Sequence, residues 1–127
     1  MDMPSAQEAI TSNKHAWDES AQLHKDTDNW KTLLRSVADP GFSCLDPTIT
    51  ALLQDVGVAG KDVVQLCCNN GRESLSLFSL GAQSVVGVDQ SRAFLQQAQE
   101  LAAFSPHNPE FIEADIHHLP ERLHGRF

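Results

Sequence analysis

The chain has 127 residues, with nine basic and seventeen acidic side chains and a formal net charge of −8. This length predicts one domain, and the acidic balance argues against unaided binding to the phosphate backbone of nucleic acids. No apolar run reaches the roughly 18 residues that a membrane-spanning helix needs. The start, Met1-Asp2-Met3-Pro4, lacks the basic and apolar segments of a secretion signal. We therefore expect a cytoplasmic protein with no nucleic-acid or membrane partner.

The cysteines and histidines predict no metal site. Cys44, Cys67 and Cys68 form no even disulfide framework, so buried and reduced thiols are the expectation. A zinc site would need further ligands at Cys-x-x-Cys-like spacing, and the sequence has none. The histidines include the adjacent pair His117 and His118, whose side chains we expect to diverge on a loop.

The N-terminal part of the chain predicts helices. Residues 1–12 are small and polar and predict a frayed terminus. Apolar residues then recur at helical spacing in two helices, of which the first carries Trp17 and the second, from Asp28, carries Trp30. On such amphipathic helices a tryptophan packs in the core more often than it covers a ligand. Asp46 and Pro47 predict the cap and first turn of a third helix.

The pattern changes to strands from Asp62 onward. Val63 to Cys67 is an apolar run broken only by Gln65, which is typical of a parallel strand covered on both faces. The run from Ser84 to Asp89 repeats this pattern, and the run from Glu110 to Asp115 does so more weakly. Parallel strands need a crossover of about a dozen residues, so the two intervening segments are predicted to be helices. The chain is therefore predicted to have an α/β fold.

The two crossover segments differ in how clearly they predict a helix. The second has Ser91 as a plausible N-cap. Its apolar stripe consists of Phe94, Ala98, Leu101 and Ala102. In the first, Leu75 and Leu77 alternate with serines as in a strand, whereas apolar pairs three residues apart and the terminator Gly81 favour a helix.

A turn and an acid together indicate a cofactor that contains a nucleoside. A turn, Cys67 to Gly71, follows the first strand, and Asp89 ends the second, where a carboxylate can accept ribose hydroxyls. The dinucleotide fingerprint requires three glycines, but here Cys67, Asn69 and Gly71 occupy those places. The side chains of Cys67 and Asn69 would obstruct the docking of a pyrophosphate on the start of the next helix. The turn therefore disfavours NAD and is compatible with S-adenosylmethionine, which has no phosphates.

Residues 61–127 resemble the first half of a class I S-adenosylmethionine-dependent methyltransferase. The resemblance rests on four segments in order, namely VVQLCCNNGRE (63–73), LGA (80–82), GVDQS (87–91) and FIEAD (111–115). The N-terminal helices, with Trp17, Ala21 and His24, also resemble those of one bacterial branch of this family.

The resemblance implies a Rossmann-like parallel sheet of strand order 3-2-1, preceded by N-terminal helices. Residues 1–60 would be a helical lead-in, and residues 61–127 a partial cofactor-binding domain that stops before the fourth strand. In the family's full sheet the first strand has a neighbour on each side. In this chain one edge of the first strand would have no neighbouring strand. Three coverings are then open for that edge, namely the rest of the domain, the N-terminal helices, or another copy of the chain in a homo-oligomer.

The resemblance also implies roles for residues around the turn. Cys67, Cys68, Asn69 and Gly71 would pack against the methionine part of S-adenosylmethionine. Gln65 stands where many members of the family have an acidic residue near the ammonium group of the cofactor.

Four further residues would bind the nucleoside. Asp89 would accept the ribose hydroxyls, and Gln90 would lie beside the adenine. Asp115 would accept a hydrogen bond from the adenine amino group, with the backbone of Ile116 next to it.

The implied function is methyl transfer to an unidentified acceptor, for which we expect a small molecule. No catalytic residue is assigned, because the family's substrate-facing loops usually follow the fourth and later strands. We expect this chain alone to be incomplete and inactive. The alternatives are a non-catalytic S-adenosylmethionine-binding or interaction module and, less favoured, an NAD-type nucleotide-binding domain.

Overall fold

A computed structural model of the chain describes residues 3–25 and 27–127, apart from the side chain of His24. In this part of the chain, three helices precede alternating strands and helices. The elements are α1 (Ala6–His24), α2 (Asp28–Ser36), α3 (Pro47–Val56), β1 (Asp62–Leu66), α4 (Arg72–Ser76) with a 3-10 helix (Leu77–Leu80), β2 (Ser84–Asp89), α5 (Arg92–Phe104), β3 (Glu110–Glu113) and a second 3-10 helix (Glu121–Leu123). None of these helices is long and apolar enough to cross a membrane.

Helix α1 begins at Ala6, so the prediction of a frayed terminus is wrong for residues 6–12. The Ser5 hydroxyl accepts a hydrogen bond from the N–H of Glu8, and the Glu8 carboxylate accepts one from the N–H of Ser5 at 2.7 Å. This reciprocal pair is a capping box, which satisfies two backbone donors that the helix itself leaves free. The same hydrogen bonds, first that from the Ser5 N–H, lower the pKa of the Glu8 carboxyl.

The next two helices begin where the sequence predicts. The Thr27 hydroxyl accepts a hydrogen bond from the N–H of Trp30 and so caps α2. The Asp46 carboxylate accepts one from the N–H of Ile49, and Pro47 occupies the first turn of α3. Both caps are local, because the capping side chain reaches a backbone group only three residues away.

The three strands form one parallel sheet in the order β1-β2-β3, which agrees with the implied order 3-2-1. In register, Val64 lies opposite Val86, and Val88 lies opposite Ile112. Strand β2 is central, and its residues from Val85 to Val88 are all buried. No strand in the described residues pairs with the second edge of β1. The N-terminal helices make their extensive contacts with α5 and the first 3-10 helix rather than with β1.

The prediction that Val63 to Cys67 is covered on both faces is wrong. Strand β1 ends at Leu66, whose side chain is 45% exposed, and its interior residues are only partly buried. Cys67 is exposed and leaves the strand direction with a φ of +58°. The physical reason is the edge position of β1, which has a neighbouring strand on one side only.

Both crossover segments are helical, as predicted. The first is an α-helix for five residues and then a 3-10 helix, which Gly81 ends with a φ of +88°. The second, α5, has Ser91 as its N-cap, since the Ser91 hydroxyl accepts a hydrogen bond from the N–H of Phe94. The buried apolar face of α5 consists of Phe94, Leu95, Ala98 and Leu101. The predicted stripe is therefore confirmed except for Ala102, which is only partly buried.

Two glycines allow β3 to approach the turn and β2 closely. A Cβ atom at Gly87 would lie 2.7 Å from Cδ1 of Phe111 and 2.9 Å from Sγ of Cys68. A Cβ atom at Gly71 would lie 2.6 Å from Cζ of the same ring, and Gly71 also has a φ of +78°. The ring of Phe111 therefore fills the space that side chains at these two positions would need.

Candidate functional site

A cleft of about 680 Å³ opens at the C-terminal ends of β1 and β2 and beside the loop after β3. This volume lies in the range of small-molecule sites, about 300–1,000 Å³. Six of the nine predicted cofactor-binding residues line it, namely Cys67, Asn69, Asp89, Gln90, Asp115 and Ile116. The structure therefore brings together residues that lie as far apart in the sequence as Cys67 and Ile116.

Asp89 links the end of β2 to the turn. One carboxylate oxygen, Oδ2, accepts a hydrogen bond from the N–H of Asn69 at 2.8 Å, and the other accepts one from the N–H of Ser91 at 2.9 Å. Each carboxylate oxygen has a second lone pair, so Asp89 can also accept hydroxyl groups from a ligand in the cleft. The same side chain therefore orders the turn, supports the start of α5 and faces the cleft.

The turn keeps a left-handed backbone at positions where the fingerprint has glycine. Cys67 and Asn69 have φ values of +58° and +55°, a conformation that is uncommon for residues with a side chain. The N–H of Cys68 donates to the carbonyl of Val88 at 2.9 Å, which anchors the turn to β2. The Asn69 side chain accepts a hydrogen bond from the N–H of Asn70. These bonds hold a strained turn in place, as is common at functional sites.

Asp115 lies on the loop after β3 and lines the cleft. Its carboxylate accepts a hydrogen bond from the N–H of His117 at 2.9 Å, and the ring nitrogens Nδ1 of His117 and His118 lie 2.8 and 3.4 Å from it. The N–H and then the ring of His117 lower the pKa of the Asp115 carboxyl. The two imidazoles approach one carboxylate, so the expectation that they diverge is wrong. In the described residues, no three acidic, histidine or cysteine side chains are arranged to hold a metal ion.

Helix α1 forms the wall of the cleft that the sequence analysis missed. Ala9, Ile10, Asn13 and Trp17 line the cleft from this helix. Trp17 is 46% exposed, so the core interpretation of this residue is wrong, whereas Trp30 is 4% exposed and lies in the core as expected. Two features of the sequence indicate this helix. Ser5 and Glu8 have the spacing of a capping box, and residues 10, 13 and 17 lie at helical spacing on one face.

Polar and aromatic contacts fix α1 on α5. The Asp18 carboxylate accepts a hydrogen bond from the Ser91 hydroxyl at 2.6 Å and pairs with Lys14 at 2.8 Å. Partial burial alone would raise the pKa of Asp18, but the hydrogen bonds from Lys14 and Ser91 outweigh it and the pKa is lowered. Trp17 meets Phe94 edge to face, with ring centroids 6.1 Å apart. The side chain of Trp17 is thus held where it faces the cleft.

A second cavity of about 350 Å³ adjoins the cleft. It shares Trp17, Cys67, Asn69 and Phe94 with the cleft. The residues that line the second cavity but not the cleft are Cys68, Asn70, Arg72 and Glu73. Asn70 and Arg72 also line a separate cavity against α2. A ligand that lies along the turn can therefore extend from the cleft into this second space.

Three of the predicted residues do not line the cleft. The side-chain amide of Gln65 donates to Glu73 at 2.9 Å, and its oxygen accepts a hydrogen bond from the Ser74 hydroxyl. Gly71 lies under the ring of Phe111, where its role is close packing. Cys68 is 3% exposed, and burial, followed by the charge of Asp89, raises the pKa of its thiol to about 12.

The cysteines are free, but the expectation that all three are buried is wrong. Cys44 and Cys67 are exposed, and only Cys68 is buried. Cys67 leaves the edge strand for the turn, where desolvation and then the charge of Asp89 raise the pKa of its thiol. A raised pKa lowers the fraction of reactive thiolate at neutral pH.

The sequence and the fold were compared with those of known proteins. Residues 63–127, just over half of the chain, match the profile of a family described as "Methyltransferase domain". Over 71 residues the chain is 35% identical to the tRNA U34 carboxymethyltransferase of Pseudomonas aeruginosa in three strains. This match covers 55% of the chain but 22% of the relative, so the chain spans about a fifth of the length of these relatives.

A solved structure supports the fold. Phosphoethanolamine N-methyltransferase 1 of Haemonchus contortus, in complex with phosphoethanolamine and S-adenosylhomocysteine, superposes with a TM-score of 0.60 and 24% sequence identity. The superposition covers 91% of this chain and 23% of that protein. At this level of identity the likeness concerns the fold alone.

Proposed function

Because this chain belongs to the methyltransferase domain family, whose cofactor is S-adenosylmethionine, we propose that it supplies the cofactor-binding part of a methyltransferase. The observation that carries the proposal is the position of Asp89, which faces the cleft from the end of β2 while it binds the N–H of Asn69 in the turn. In α/β folds, an acid at this place accepts the hydroxyls of a ribose.

The residues of the cleft fit a nucleoside in size and chemistry. In the proposed binding mode Asp89 accepts the ribose hydroxyls, and Gln90 lies beside the adenine. Asp115 accepts a hydrogen bond from the adenine amino group, with Ile116 next to it. Like any aspartate at its ordinary or a lowered pKa, Asp115 is ionised at neutral pH, so its carboxylate can accept this hydrogen bond. The apolar surface of Ile116 suits a flat base.

When bound, S-adenosylmethionine supplies an activated methyl group on its sulfonium, and the protein orients and desolvates the reactants. Asp89 fixes the turn, and α1 with Trp17 closes one side of the cleft. Alignment and exclusion of water are therefore the contributions that we assign to this chain.

We propose a small molecule as the methyl acceptor. The P. aeruginosa relative is named for a tRNA and the H. contortus protein for phosphoethanolamine, so the relatives include both classes. Two observations favour the small molecule in this chain, namely its net charge of −8 and the two acids Asp89 and Asp115 at the cleft. Both would repel the phosphate backbone of an RNA.

Calorimetric titration tests the proposal. S-adenosylhomocysteine, which is S-adenosylmethionine without the transferred methyl group, should bind with a stoichiometry near one, and NAD should give no saturable heat. The expected difference follows from the side chains of Cys67 and Asn69, which occupy the places where glycines admit a pyrophosphate. Saturable binding of NAD without binding of S-adenosylhomocysteine would favour the nucleotide-binding alternative.

A further inference from the structure

The cavity against α2, which we call the α2 groove, has the size of a small-molecule site. Its volume is about 370 Å³, within the usual range of about 300–1,000 Å³. Asn29, Thr32 and Ser36 line it from α2, where their spacing places them on one stripe of the helix, and Asn70 and Arg72 line it from the turn and the start of α4. The groove therefore has walls from two separate parts of the chain.

The charge of the α2 groove is positive. Arg72 is the one charged side chain of the described residues that lines it, and Arg72 makes no ion pair with any described acidic group. Glu73 follows Arg72 on α4 but does not line the groove, because adjacent residues of a helix point in different directions. The cleft, by contrast, is lined by Asp89 and Asp115. In a chain with a net charge of −8, the groove is thus a place that favours an anion.

The polar groups beside Arg72 can donate hydrogen bonds to such an anion. The side-chain oxygen of Asn70 accepts from the N–H of Arg72 at 3.3 Å, which leaves the amide nitrogen of Asn70 to donate. Among the described residues, no group pairs with the Asn29 amide or the Thr32 hydroxyl. The guanidinium adds a planar fork of N–H groups that matches a carboxylate or a phosphate. These donors and the positive charge together suit an oxyanion.

The α2 groove also has apolar lining. Leu33 is half-buried and packs against Trp30, and both residues line the groove. Sites for small organic molecules combine apolar walls with a few polar groups in this way. The lining therefore suits an organic molecule that carries an oxyanion.

We propose that the α2 groove binds the oxyanion, a carboxylate or a phosphate, of the small-molecule methyl acceptor, with Arg72 as its ion-pairing partner. The inference rests on the proposed function, because it takes the nucleoside of the cofactor to lie in the cleft. The groove shares Asn70 and Arg72 with the second cavity, which in turn shares residues with the cleft. A molecule held by its oxyanion in the groove can therefore extend toward the cofactor.

Nuclear magnetic resonance of the isotope-labelled chain tests the site residue by residue. The chain is first saturated with S-adenosylhomocysteine, and sodium phosphate, sodium acetate or sodium chloride is then added at neutral pH and equal ionic strength. Phosphate or acetate should shift the side-chain N–H signals of Asn29, Asn70 and Arg72 in a saturable manner, and chloride should not. The anion that binds more tightly identifies the oxyanion that the groove selects.

Three variants then locate the binding. Arg72→Gln should weaken the binding of the preferred anion by about tenfold, the loss expected for a charged hydrogen bond. Asn29→Ala should weaken it by about threefold, because it removes a neutral donor on α2. Arg35→Gln is the matched control for Arg72→Gln, since Arg35 is exposed on α2 and does not line the groove. It should leave the affinity within about twofold.

The outcomes separate this inference from the proposed function. If S-adenosylhomocysteine binds but neither oxyanion shifts the groove signals, the inference is wrong and the proposed function stands. If the oxyanions bind only in the absence of S-adenosylhomocysteine, Arg72 belongs to the cofactor site, and the inference is again wrong. An equal loss in Arg35→Gln and Arg72→Gln would reduce the effect to net charge and overturn the inference as well. If S-adenosylhomocysteine itself does not bind, the proposed function fails, and the assignment to a methyl acceptor fails with it.

Discussion

Strands β1 and β2 have similar sequences and different surroundings. Each contains a pair of valines, Val63-Val64 in β1 and Val85-Val86 in β2, and the two pairs lie opposite each other in the sheet. The residues of β2 from Val85 to Val88 are buried, whereas β1 is at best partly buried. The difference comes from their neighbours, since β2 has a strand on each side and β1 on one side only. An apolar run thus predicts a strand but not its place in the sheet.

The largest expected effect is on stability, and it tests this difference directly. Val88 is fully buried in β2, and its partner in register is Leu66, which is 45% exposed in β1. Val88→Ala should lower the free energy of unfolding by about 2–3 kcal/mol, because it leaves a cavity in the core. Leu66→Ala removes more atoms but should cost less than about 1 kcal/mol, because the side chain is already partly solvated. Urea denaturation measures the free energy of unfolding of both variants. Equal losses would contradict the difference in burial between β1 and β2.

The second effect concerns the acid at the end of β2. Asp89→Ala should weaken the binding of S-adenosylhomocysteine by about 1.5–3 kcal/mol, the usual loss for a charged hydrogen bond. Asp89→Asn separates this role from folding, because asparagine keeps an oxygen that can accept from the N–H of Asn69. Glu113 is the matched control, since it pairs with Arg92 at the end of β3 and does not line the cleft. Unchanged affinity in a folded Asp89→Ala variant would remove Asp89 from the site.

The third effect concerns the two cysteines that follow β1. Cys67 is exposed and Cys68 is buried with a pKa of about 12, so a thiol reagent at neutral pH should label Cys67 at least about tenfold faster. The raised pKa of Cys67 should keep its own labelling slower than that of an unfolded control in urea. Mass spectrometry locates the label, and elemental analysis should find no zinc. A disulfide between these residues, or faster labelling of Cys68, would contradict the assignment.

The smallest effect concerns the free edge of β1. We propose that this edge pairs with a second copy of the chain, because β1 has no strand on that side and carries no lysine or proline that would block pairing. Light scattering over a concentration range should then detect self-association of the wild type. Leu66→Lys should reduce it with a change in stability below about 0.5 kcal/mol. A wild-type chain that stays monomeric at every concentration would overturn the proposal.

Local signals account for what the sequence predicted correctly. The caps at Asp46 and Ser91 are visible because each side chain acts within three residues of itself. The parallel strands are visible because burial of both faces leaves an apolar run, as in β2. The acid at Asp89 stands out because it ends such a run, and the structure places it in the cleft.

The errors concern contacts between distant parts of the chain. The place of Trp17 depends on the docking of α1 onto α5, which joins residues more than 70 positions apart through Asp18 and Ser91. The orientation of the Gln65 side chain toward Glu73 depends on a side chain of α4, and no pattern in β1 predicts that contact. The start of α1 was an avoidable error, because Ser5 and Glu8 have the spacing of a capping box.

The two tryptophans of the chain lie in environments that make them separate optical reporters. Trp30 of α2 is buried in the core, and Trp17 of α1 is half exposed on the wall of the cleft. Since the emission of an indole shifts to shorter wavelengths as water is removed from it, a molecule that enters the cleft should shift the fluorescence of Trp17 and leave that of Trp30 unchanged. Unfolding should instead shift Trp30 to longer wavelengths. Intrinsic fluorescence of the unlabelled chain can therefore distinguish a filled cleft from a loosened core in a single titration.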